Sequence, residues 1–108
     1  MALDMNPEVR AQWCAALRSG EYQQGRAELR SADHKKHCCL GVLTDLAARA
    51  GVPVDWETAI LPYLVTAWAG LTYGNPMLAR GHLTATGAND DEKWTFAEIA
   101  DDIDGGQS

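Results

Sequence analysis

HKKHCCLGVLTDLA, residues 34–47, is the stretch that decides the architecture. Two lysines and two histidines run straight into adjacent cysteines. Cys38, Cys39, Val42, Leu43, Leu46 and Ala50 then recur at helical spacing. The apolar face they make is broad, which predicts a central, buried helix over 38–50. Gly51 ends it, and Val52-Pro53 prevents its continuation. The basic cluster sits just before this helix. Cationic side chains, free backbone N–H groups and the positive end of the helix dipole therefore share one place.

On the N-terminal side, Asn6-Pro7-Glu8 reads as a helix start, with Asn as cap, Pro at the first helical position and an acid in the first turn. Val9, Trp13, Ala16 and Leu17 fall on one face, and Gly20 suits the residue after the end, so residues 7–19 are predicted helical. Residues 1–5 are expected to be a frayed lead. Between the two helices, Tyr22 and Leu29 flank a polar segment centred on Gly25, read as a short hairpin or an extended loop. Ser31 to Lys36 is polar, basic and expected to be exposed.

On the C-terminal side, Trp56 to Ile60 is a connector. Leu61-Pro62 starts a third helix with Val65, Trp68 and Ala69 inward, closed by Gly70 and Leu71. Asn75-Pro76 is a turn signal, and residues 77–93 read as loop with one short strand near Met77-Leu78. Thr95-Phe-Ala-Glu98 is a capping box, and Phe96, Ile99, Ala100 and Ile103 complete a last amphipathic helix. Residues 104–108 are expected to be a flexible tail. The expected fold is mainly α: a compact single domain over 1–108, about four helices with room for a small β-hairpin. The helices at 7–19 and 96–103 should pack on that at 38–50.

At 108 residues and 46% hydrophobic, with four tryptophans, the chain can build one modest core, small enough that oligomerisation is an open expectation. The net charge of −6 argues against general nucleic-acid binding, which rests on Lys and Arg. Residues 1–50 carry seven Lys/Arg against six Asp/Glu, whereas residues 51–108 carry two against nine. A local anion site on an acidic protein is thus compatible with the composition. Three cysteines, two of them adjacent, make a poor disulfide framework, and reduced thiols in a cytoplasm are the simpler reading. No apolar run reaches membrane-spanning length, so no membrane partner is expected.

Four groups of residues can carry chemistry. Tyr22, Gly25, Arg26, Arg30, Lys36, His37 and the start of the helix at Cys38 can form an anion pocket. There Arg26 and Arg30 clamp phosphate, Gly25 admits the backbone and Tyr22 stacks on a base. The plain alternative is a solvated polar loop. Cys38, at a helix start beside His37 and Lys36, is expected to have a lowered pKa, one ingredient of a cysteine nucleophile with His37 as its base. Against this, free cysteines are commonly just buried, the expectation for Cys39. His34, His37, Cys38 and Cys39 lack the separated second pair of a structural zinc site, so no metal is expected. Asn89-Asp90-Asp91-Glu92 lacks a calcium-loop pattern, and Asn89 and Asp90 are better placed to organise the loop before the last helix. Trp13 and Trp68 fall on apolar helix faces, whereas Trp56 and Trp94 are surface or ligand-stacking candidates. No cofactor is implied.

Five blocks, NPEVRAQWCAALRSGEYQQG at 6–25, CCLGVLTDLA at 38–47, LPYLVTAWAGL at 61–71, NP at 75–76, and ND followed by TFAEIADDI within 89–103, follow one another along the chain. In this it resembles a family of small proteins encoded by tailed phages, especially those infecting actinobacteria. Where members of that family often carry a further cysteine, this chain has Thr44, which weakens a thiol-pair or metal reading. The resemblance implies an origin rather than a reaction, since small acidic phage proteins commonly act by binding. It leads to the expectation of a non-enzymatic binding protein in the cytoplasm of an infected host, acting in counter-defence by sequestering a small anionic, nucleotide-type signal. The alternatives are an acidic inhibitor that docks on a host protein, and a thiol-dependent hydrolase using Cys38.

Overall fold

Asn6 caps the first helix as its sequence requires: its side-chain oxygen accepts from the N–H groups of Glu8 and Val9 in the computed structural model, which describes residues 3–78 and 83–105. Helix α1 spans Pro7–Ser19 and closes on Gly20 at φ 81, in the left-handed conformation that glycine tolerates. Helix α2, Cys39–Arg49, is the buried centre. Cys39, Leu40, Val42, Leu43, Thr44 and Ala47 on it are all fully buried. Helix α3, Tyr63–Ala69, begins one residue after Pro62, which serves as its cap, buries Val65, Thr66 and Ala69, and leaves Trp68 half-exposed. Helix α4, Phe96–Ile103, has both halves of the Thr95/Glu98 capping box.

The helices at the two ends of the domain pack on each other more extensively than any other pair. Cys14 lies against the Ala100 carbonyl, and Arg18 forms 2.8 Å ion pairs with Asp101 and Asp104 across the pair. The Trp13 indole N–H reaches the Cys39 carbonyl at 2.9 Å and ties α1 to the first turn of α2. Residues 3–5 are not a frayed lead. Leu3 and Met5 are buried, and the Leu3 N–H donates to the Ile103 carbonyl. At the other end Asp104 is held by Arg18 rather than loose, and residues 106–108 lie outside the described residues.

Two further expectations need correcting. The Gly25 segment is not a local hairpin. Strand β1, Gln23–Gln24, pairs parallel with β2, Lys36–His37, and Arg30 bridges His37 antiparallel. The intervening chain therefore folds back over the start of α2 instead of turning tightly. Within 77–93, of which 79–82 lie outside the described residues, the expected short strand near Met77-Leu78 is a single isolated bridge from Met77 to Thr84, and Gly87–Asp91 is a π-helical turn rather than loop. That turn buries Ala88 and Asn89, a pattern with too few apolar positions to show as periodicity. Among the described residues no helix is long and apolar enough to cross a membrane.

Candidate functional site

The start of α2 is closed by the protein's own groups. Leu29 lies across it, fully buried, and its carbonyl accepts from the Cys38 N–H at 3.3 Å. The Cys38 sulfur accepts from the Gly41 N–H, and the Asn89 side-chain oxygen accepts from the Cys39 N–H at 3.2 Å. Asn89 is a hub. The same oxygen accepts from the Gln24 amide, while its own amide donates to the Gly25 carbonyl and to Asp90. All four hydrogen-bonding positions of a fully buried amide are thus filled. They join β1, α2 and the π-turn. The helix-start N–H groups counted on for phosphate serve this junction instead. Asn89 does organise the loop, as its sequence position before α4 suggested.

The same burial reverses the expectation for Cys38. Its thiol is pushed up to about 11 by burial, which outweighs the Gly41 and Leu40 N–H groups. Cys14 is pushed up to about 12, and Cys39 well above the usual thiol range, again mainly by burial. A cysteine nucleophile needs thiolate near neutral pH. Native protein at pH 7.5 is therefore expected to resist iodoacetamide, with three thiols labelled once it is denatured, readable by intact mass. The linkage has one sign for all three. A thiol whose folded pKa is raised lends stability that is complete below its ordinary value of 9.0 and is lost as pH rises toward the folded value. His34 is exposed whereas Cys38 and Cys39 are buried. Among the described residues no group of three or more His, Cys, Asp or Glu gathers around one metal position. His82 lies outside the described residues.

The predicted anion residues divide between two clefts. Gly25, Arg26 and Lys36 line one of about 300 Å³, with Gln24, Glu28 and Ser31. Arg30 lines the other, of about 330 Å³, with Glu28, Trp56, Glu57 and Thr58. Between the two arginines Ala27 takes a left-handed conformation at φ 68, and Arg26 and Arg30 line different clefts. Gly25 approaches Lys36 rather than open space, since a Cβ there would stand 3.0 Å from the Lys36 Cβ.

Tyr22 and His37 turn away from the Lys36 cleft into an aromatic ladder. The His37 ring lies edge-on between Tyr22, at 5.2 Å, and Trp56, at 5.9 Å. The Arg30 guanidinium lies 4.0 Å over the Trp56 ring, and Arg49 caps the Tyr22 end at 5.8 Å. The Tyr22 hydroxyl donates to Asp45, which also pairs with Arg49. Burial raises the Tyr22 pKa, helped by Asp45, and lowers that of His37, whose Nδ1 has no hydrogen-bond partner. Burial thus favours the neutral form of His37, which spaces the two larger rings. Sequence reading found Trp56 as a stacking candidate and Arg30 as a phosphate ligand, but missed their pairing, the acids Glu28 and Glu57, and Asp45. Nothing in their spacing announces them, because the ladder joins residues from four separate segments.

No curated protein and no solved structure matches the chain. Residues 5–107 match the family described as Domain of unknown function (DUF8296), and with nearly its whole length inside that match the chain belongs to this family.

Proposed function

We propose that the protein is a non-catalytic binding protein that holds a small phosphate-bearing molecule in the cleft of Gln24, Gly25, Arg26, Glu28, Ser31 and Lys36. The observation that carries the reading is the pair Arg26 and Lys36. Both line this one cleft, and neither makes an ion pair among the described residues. The floor is rigid: Gly25 is held by the His37 carbonyl on one side and the Asn89 amide on the other. Paired cations on a fixed backbone suit a phosphate group. With Tyr22 outside the cleft there is no ring for a base, so recognition falls on the phosphate end of a nucleotide-type signal. The buried thiols favour binding over catalysis. The resemblance to small tailed-phage proteins supports an action in the cytoplasm of an infected host.

The test is a thermal-shift and calorimetric screen of cyclic dinucleotides, cyclic trinucleotides, ADP-ribose derivatives and ordinary nucleotides. Replacing Arg26 and Lys36 together by Ala should abolish the response to the active compound without moving the unfolding midpoint. Glu28→Gln should tighten binding about threefold to fivefold, the worth of one exposed like charge. No response from any compound, or an unchanged response in the double variant, overturns the reading.

A second reading, docking on a host protein, has its own support. Ile60, Tyr63 and Leu64 are 43%, 83% and 48% exposed and border a groove of about 540 Å³ with Pro53, Val54 and Leu61. This apolar strip lies in the acidic half of the chain. Exposed apolar residues with a charged rim are the anatomy of a protein interface.

A further inference from the structure

The cleft beside Trp56 differs in chemistry from the one just assigned. Its lining carries one cation, Arg30, and two acids, Glu28 and Glu57, around the edge of an indole. None of the three makes an ion pair among the described residues. A purely anionic ligand would meet two carboxylates there, and a purely cationic one would meet the guanidinium. A ligand with both charges satisfies the set.

The arginine is also fixed in advance. Its guanidinium lies over Trp56; Trp56 abuts His37, His37 abuts Tyr22, and the Tyr22 hydroxyl is anchored to Asp45 on α2. A guanidinium held over a ring by its central carbon still offers N–H donors in the fork that fits a carboxylate. Holding it still removes part of the ordering cost of binding. At about 330 Å³ the cleft has room for about ten water-sized groups. That is the scale of an amino acid or a dipeptide.

We infer that this cleft is a second binding site, for a small zwitterion such as an amino acid or short peptide. Its carboxylate sits on Arg30, its ammonium faces Glu28 and Glu57, and its body packs on Trp56. The site is independent of the phosphate reading, since the two clefts share only Glu28.

The experiment follows the Trp56 indole N–H signal by NMR during titration with glycylglycine. N-acetylglycylglycine, which keeps only the negative end, and glycylglycinamide, which keeps only the positive end, are titrated in parallel. Glycylglycine should move the signal at concentrations about tenfold lower than either relative. Glu57→Gln should weaken glycylglycine about fivefold while leaving the fold intact, because its side chain is exposed. Glu28→Gln should weaken glycylglycine while tightening the phosphate ligand, whereas Arg26→Ala with Lys36→Ala should leave glycylglycine unaffected. No movement at about 20 mM, a concentration that fills even a millimolar site, overturns the inference. Equal binding of the three compounds, or an effect undiminished in Glu57→Gln, does so too.

Discussion

Asn89→Ala is expected to remove about 4 kcal/mol of stability, measured as a fall in the denaturant midpoint with an unchanged slope. The amide contributes almost nothing as apolar bulk. Its loss matters because of what it leaves behind. The Cys39 N–H and the Gly25 carbonyl would each lose the Asn89 partner in a region where Asn89, Cys39 and Leu40 are fully buried. An orphaned buried polar group such as the Cys39 N–H costs about 1–3 kcal/mol, and the half-buried Gly25 carbonyl and the Gln24 amide each lose a partner as well. Asn89→Asp should fare little better. It keeps an acceptor for Cys39 but brings a carboxylate to the Gly25 carbonyl and to Asp90. A loss below about 1 kcal/mol would mean that the junction is not the keystone described here.

Gly41→Ala should be as damaging by a different route. A Cβ at Gly41 would stand 1.7 Å from the Leu29 carbonyl oxygen and 2.7 Å from its carbon. No rotamer relieves a clash with backbone. Either α2 shifts, against a fully packed core, or the chain around Leu29 lifts away. Overpacking of this kind costs about 3 kcal/mol or more. Lifting also uncovers Leu29, whose burial is worth about 2 kcal/mol. The change should show in function as well, because the displaced segment carries the residues of both clefts, so ligand responses should fall even where the variant still folds. Gly51→Ala is the matched control. Its φ of 93 is strained for alanine, but a Cβ there meets nothing within 4 Å. Its cost should stay near 1 kcal/mol, that of backbone strain alone.

The contrast between these glycines shows which parts of the molecule its sequence declares. Helix ends are local matters, so Asn6, Gly20 and the Thr95/Glu98 box mark α1 and α4 to the residue. The broad stripe from Cys38 likewise announces the central helix, because burial on nearly every side leaves a periodic mark. Asn89 and Gly41 act through partners about 50 and 12 residues away. A one-dimensional pattern carries no record of that. The full residue set of the anion site was not legible for the same reason. Adjacency of basic residues to a helix start was legible, but the Leu29 segment that covers this start was not. Lys36 and Arg26 nevertheless share a cleft, because β1 and β2 pair side by side, whereas the backbone around Ala27 sends Arg30 elsewhere. The thiol expectation inverted because burial outweighed the favourable N–H groups.

The pairing of α1 with α4 has a temporal side. Residues 3–19 leave the ribosome before the rest of this domain, yet the partners of Cys14 and Leu3, the carbonyls of Ala100 and Ile103, lie on α4. Until α4 is made, the first helix lacks its main partner and has only α2 to pack on. Contacts of such long sequence separation are closed late and slowly. The nascent chain must therefore carry part of that face uncovered until α4 has been translated, and the domain closes as a single event rather than a progressive one.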